Sequence, residues 1–124
     1  MTTTTIRRAH VEDAIALTEI RREAAAYKHS HGDVVWNRNG WPEEVSRRTL
    51  EIDDWYFIEQ NGVPAGAWWL SWQDERHWGP QEPIAVYVHA LALRKDCHGI
   101  GLGAFALDWC ADYARAGHLS LIHI

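Results

Sequence analysis

With only two cysteines and four prolines in 124 residues, the chain has neither the bridges of a disulfide scaffold nor the composition of a proline-rich extended segment. No apolar run approaches the roughly 18 residues that a membrane helix needs, and no charged-then-apolar leader is visible at the N-terminus. A cytoplasmic location without a membrane partner is expected, with Cys97 and Cys110 as reduced thiols. There is no internal repeat, low-complexity tract or linker. Nor is there a basic stripe. Arg7-Arg8, Arg21-Arg22 and Arg47-Arg48 are scattered pairs in a chain of formal net charge −5, which argues against nucleic acid as a partner. A hydrophobic content of 47% beside 23% charged residues is that of one folded domain, so residues 1–124 are read as a single unit.

The stretch from Ile84 to Ala104 carries the chemistry. Ile84 to Leu93 is rich in Val, Ala, Leu and Tyr, as a buried strand would be, and Gly101 to Arg115 places Ala104, Leu107, Ala111 and Ala114 at helical spacing. Gly99, Gly101 and Gly103 fall at the junction. Glycine there permits unusual backbone angles and close approach of an anion. The first turn of a helix leaves N–H groups without partners and carries about half a positive charge, so the junction reads as a diphosphate site.

The spacing separates three kinds of phosphate loop. A P-loop needs a lysine and a hydroxyl after its last glycine, where this chain has Ala104 and Phe105. Gly99, Gly101 and Ala104 formally satisfy a dinucleotide fingerprint. However, Arg94-Lys95-Asp96-Cys97-His98 separates them from their strand, and no acid lies in the final segment from Leu119. A nicotinamide oxidoreductase is therefore the weaker alternative.

The run His98-Gly99-Ile100-Gly101-Leu102-Gly103, preceded by Tyr87-Val-His-Ala-Leu-Ala-Leu93, resembles the core motif of the GNAT superfamily of N-acetyltransferases. That motif is Gln or Arg, two residues, Gly, one residue, then Gly or Ala. His98 replaces the usual first residue, and an imidazolium there would face the diphosphate, which predicts tighter ligand binding at lower pH. The resemblance implies acetyl-CoA as co-substrate. Leu91, Ala92 and Leu93 would hold its pantetheine arm, and His98, Gly99, Ile100, Gly101, Leu102, Gly103 and Ala104 its diphosphate.

The same order of elements runs through the rest of the chain. Thr4 to Ala14 looks like the family's first strand and helix start, with Val11, Ala14, Leu17, Ala24 and Tyr27 on one helical face. Trp55 to Gln60, the Asn61-Gly62 turn and Val63 to Trp72 read as a hairpin. A mixed α/β (α+β) fold follows, a GNAT-like central mixed sheet flanked by helices. The chain stops near Ile124, where the family continues, so the domain is expected to be incomplete, lacking the C-terminal helix and last strands. The exposed edge of the fifth strand would then be prone to pair with a second copy as a homodimer.

The expected activity is an acyl-CoA-dependent N-acetyltransferase moving an acetyl group to a primary amine, of a small molecule or a peptide, by direct attack. The alternative is a non-catalytic coenzyme A-binding module or an inactive fragment of an acetyltransferase. Strand alternation puts residues 87, 89, 91 and 93 on one face, so Tyr87 and His89 are the catalytic candidates just upstream of the arm segment. Some family members carry a glutamate where Tyr87 stands. Trp36, Trp41, Trp72 and Trp78 flank loops and are candidate aromatic walls for a cationic amine, near acidic Asp74, Glu75 and Glu82. Trp55, Trp68, Trp69 and Trp109 are expected in the core. His29 and His31 have ligand-like spacing without a third partner, so no metal is expected.

Overall fold

The computed structural model describes residues 2–32, 40–71, 85–117 and 120–123. Strand β1 (Thr4–Arg8) leads through a tight helical turn at Val11–Asp13 into helix α1 (Ala14–Ser30), and α2 (Glu43–Ile52) follows. Strands β2 (Asp54–Gln60) and β3 (Val63–Ser71) form the hairpin; then come β4 (Ala85–Leu93), helix α3 (Leu102–Ala116) and β5 (Ser120–His123). The five strands lie in chain order, the first four antiparallel and β5 parallel to β4. A dinucleotide fold is a parallel sheet with a reversal of strand order, so this topology removes the oxidoreductase alternative.

Local chemistry sets the elements. Seventeen residues free of Gly and Pro let α1 run to Ser30, and Gly32, at φ +85°, ends it with its N–H on the His29 carbonyl at 3.1 Å. Asn61 and Gly62 both adopt left-handed angles, φ 52° and 80°, as a two-residue hairpin turn demands.

Two cores lie on opposite faces of the sheet. Ala14, Leu17, Ile20 and Ala24 of α1 and Leu50 of α2 pack with Trp55, Phe57, Ala67 and Ala92. On the other face Leu102, Ala106, Cys110 and Ala114 of α3 pack on Ile58, Trp68, Leu70, Val86 and Val88. Sequence reading of α1 caught Ala14, Leu17 and Ala24 but missed Ile20 and Ala25, both fully buried. Val11, expected on that buried face, is 39% exposed because it sits in the preceding turn, off the helix period. Trp55 and Trp68 are buried as expected, while Trp69 and Trp109 are half-buried at the core margins.

Candidate acyl donor site

The site begins with an irregularity in β4. Trp69 pairs with His89 and Ala67 with Ala92, so β4 spends one residue more than β3 across this step, and Ala90 takes a left-handed φ of 56°. This is a β-bulge, and it inverts the alternation. Before it, Val86 and Val88 face α3, while His89 lies on the α1 face against Trp69; after it, Ala90 and Ala92 take the α1 face and Leu91 and Leu93 turn towards α3. The expected single face for residues 87, 89, 91 and 93 is thus corrected: Tyr87 and His89 part company with Leu91 and Leu93.

Pairing of β4 with β5 covers Ala85 to Val88, and β4 continues five residues beyond it. The segment Leu91–Leu93 therefore has β3 on one side and, among the described residues, no strand on the other. Its turn into the glycine loop is fixed by Arg94. The Arg94 guanidinium donates to Glu23 Oε2 of α1 at 2.7 Å and to the Pro64 carbonyl at 2.8 Å; its backbone N–H reaches the Ala65 carbonyl at 2.8 Å. Lys95 N–H donates to the other Glu23 oxygen at 3.2 Å. Two hydrogen bonds to one carboxylate hold the loop against α1. Nothing in the sequence marked this pair, which is 71 residues apart.

The glycine loop has the geometry of an anion cradle. Gly99 and Gly101 have φ of 78° and 85°, angles that side-chain-bearing residues rarely adopt. Gly101 caps α3, no side chain caps that end, and the first helical bond runs from Phe105 N–H to the Gly101 carbonyl at 3.0 Å. The N–H groups of Leu102, Gly103 and Ala104 are the helix's leftover donors, reinforced by its dipole. A Cβ at Gly99, Gly101 or Gly103 would meet nothing among the described residues within 4 Å, so the loop is open at these three positions. That donor set and space fit a diphosphate.

His98 is held by stacking. Its ring lies flat on Tyr27, 3.7 Å between centroids and 4° between planes, and His31 stacks on Tyr27's other side at 4.1 Å. His98 Nε2 is buried without a hydrogen-bond partner. His29 belongs to the last turn of α1 rather than to an exposed turn, and His31 Nδ1 bonds the Tyr27 carbonyl at 2.9 Å. Burial pushes both thiols up, Cys110 to about 11, so neither has the character of a nucleophile.

Of the catalytic candidates, Tyr87 is only 6% exposed. His89 is half-buried, stacked on Trp69 at 3.9 Å with Ser71 Oγ 2.8 Å from its Nε2. Trp41 is not an open aromatic wall: Arg21 covers it 4.1 Å from the ring centroid, and its indole N–H donates to Ser46 Oγ at 2.7 Å. The other loop tryptophans, Trp36, Trp72 and Trp78, and the acids Asp74, Glu75 and Glu82 lie outside the described residues. No described helix is long and apolar enough to cross a membrane.

Known proteins share this fold. The model of the acetyltransferase (GNAT) family matches residues 16–124. The Salmonella typhimurium protein yncA, described as an acetyltransferase and solved with its cofactor acetyl-CoA, is similar over 98% of this chain and 69% of its own, at TM-score 0.70 and 23% identity. An N-acetyltransferase from Staphylococcus aureus Mu50 is similar over 98% of this chain and 72% of its own, at TM-score 0.73 and 18% identity. For a ribosomal-protein-alanine N-acetyltransferase from Brucella melitensis the shares are 98% and 79%, at TM-score 0.67 and 18% identity. No curated protein matches the sequence. On the family match, carried over most of its length and in keeping with the sheet and glycine loop, the chain belongs to the acetyltransferase (GNAT) family.

Proposed function

We propose that the chain is an N-acetyltransferase that takes an acetyl group from acetyl-CoA and gives it to a primary amine of a small molecule or peptide. The observation that carries this reading is the uncapped N-terminus of α3, opened by left-handed Gly101 at the end of a strand whose far half lacks a second described partner. Acetyl-CoA, when bound, supplies an activated thioester. The N–H groups of Leu102, Gly103 and Ala104 hold its diphosphate, and His98 and the Gly99–Gly101 turn shape the approach. The main chain of Leu91–Leu93 pairs with the pantetheine arm and directs the carbonyl towards the bulge at Ala90.

An ammonium acceptor must lose a proton before its nitrogen can attack. His89, directly or through a water, takes that proton, its ring oriented by Trp69 and Ser71, with Tyr87 6.4 Å away. The amine nitrogen then adds to the thioester carbonyl, the C–S bond breaks, and coenzyme A leaves as the thiol with the proton that the new amide nitrogen sheds; no covalent enzyme intermediate is required. The burial of Tyr87 favours a second reading, a coenzyme A-binding module without catalysis.

Calorimetric titration with acetyl-CoA, with NADH as the comparison ligand, tests the site. Saturable binding of acetyl-CoA alone is expected; none by a folded chain removes the reading. Thiol release with a panel of amines then separates enzyme from module.

A further inference from the structure

Along one flank of α3, Phe105, Asp108, Trp109 and Asp112 line an open cavity of about 250 Å³. The spacing makes two short stripes, since Phe105 and Trp109 are four residues apart and so are Asp108 and Asp112. Phe105 is 43% exposed, an uncommon position for a large aromatic ring. Trp109 is a rigid wall, set by Tyr56 at 5.1 Å, Tyr113 at 5.3 Å and Trp68 at 6.1 Å. Asp112 bonds Arg115 at 2.7 Å across a pair about three-quarters exposed, a contact that water readily replaces. Asp108 has no ion pair among the described residues.

Aromatic faces beside two carboxylates select by charge. An anion such as coenzyme A is repelled by the acids, although the anion-binding end of the same helix is one turn away. A neutral apolar molecule gains the aromatic wall alone. An ammonium ion with an apolar body gains both, through cation–π attraction and the two carboxylates. We infer that this groove is a second binding site, for a small organic ammonium ion. It is distinct from the acceptor position at His89, which lies on the opposite face of the sheet, and it does not rest on the proposed catalysis.

The test is titration of the ¹⁵N-labelled chain with benzylammonium chloride, with benzyl alcohol as the neutral control. Saturable shifts are expected at the Trp109 indole N–H and the Phe105 and Asp112 amides, with benzyl alcohol binding about fivefold more weakly. Asp108→Asn should weaken benzylammonium by about threefold and leave benzyl alcohol unchanged; Phe105→Ala should weaken both. Both positions are exposed, so the variants keep their fold. Equal affinity for the two probes, indifference to Asp108→Asn, shifts centred on Trp69 and His89, or shifts that follow protein concentration because a second copy covers the groove would each overturn the inference.

Discussion

The two halves of β4 do different work with similar residues. Ala85 to Val88 pairs with β5, with β3 on its other side from Tyr87 onward, and Val86, Tyr87 and Val88 are buried. Ala90 to Leu93 begins with a left-handed alanine, pairs with β3, and leads into the glycine loop. The first half is paired on both sides; the second, displaced by one inserted residue, has β3 on one side and, among the described residues, no strand on the other. In the function proposed above that open edge receives the pantetheine arm, and the difference between the two halves can be tested at successive points along the strand.

The largest effect is expected at the end of the second half. Gly101→Val forces a β-branched side chain to φ near 85° and puts methyl groups into the open loop beside the Leu102–Ala104 donors. Acetyl-CoA affinity should fall by at least about 100-fold, a loss of roughly 3 kcal/mol read by calorimetry. Gly103→Ala is the contrast, because Gly103 lies inside α3 without a positive φ. That variant should gain up to about 1 kcal/mol of stability. If Gly103→Ala lost binding as fully as Gly101→Val, the left-handed cap would not be the decisive feature.

Gly66 tests the opposite use of glycine. Its φ is ordinary, but a Cβ there would stand 2.6 Å from Leu93 Cδ2 and 2.8 Å from the Ala92 carbonyl oxygen, and the latter is backbone that cannot swing aside. Gly66→Ala should cost about 1–3 kcal/mol by urea unfolding, since β3 and the second half of β4 would be wedged apart. Ala90→Gly should act in the other direction by a smaller amount. Removing Cβ at φ 56° relieves about 1 kcal/mol of strain, partly offset by the greater freedom of the unfolded chain. A loss of stability on Ala90→Gly would mean that the methyl group's packing against the α1 core outweighs the backbone strain.

What was legible in the sequence follows the range of the interaction. The hairpin, the extent of α3 and the glycine loop rest on neighbours a few residues apart, and each appears where periodicity or turn chemistry put it. The bulge was not legible: His89-Ala90-Leu91 contains no glycine or other sign of a left-handed residue, and the inverted face comes from pairing with Trp69 and Ala67. The stack of His98 on Tyr27 and the Arg94–Glu23 pair join residues 71 apart, which one-dimensional patterns do not encode. Trp41 was misjudged for the same reason, since the cation that covers it is Arg21 of its own chain.

A region remote from β4 provides the control for all of these, and the smallest expected effect. Arg7 of β1 makes paired hydrogen bonds to Asp13 at 3.0 and 2.9 Å and a third to Glu59 at 2.9 Å. The guanidinium holds the Asp13 carboxyl below its ordinary value of 3.8. Lowering a carboxyl in the folded state adds stability that is complete above the unfolded value and is lost as pH falls through the folded one. Arg7 is 39% exposed, so solvent screening limits the pair to about 1 kcal/mol. Arg7→Gln should therefore cost about that much at pH 7 and progressively less below pH 3.8, while acetyl-CoA affinity stays unchanged. An equal cost at pH 7 and in acid would assign the loss to packing of Arg7 on Phe57, 5.1 Å from the ring centroid, instead of to charge. A change in ligand affinity would show that β1 is coupled to the glycine loop, and the division of labour along β4 would then extend across the sheet.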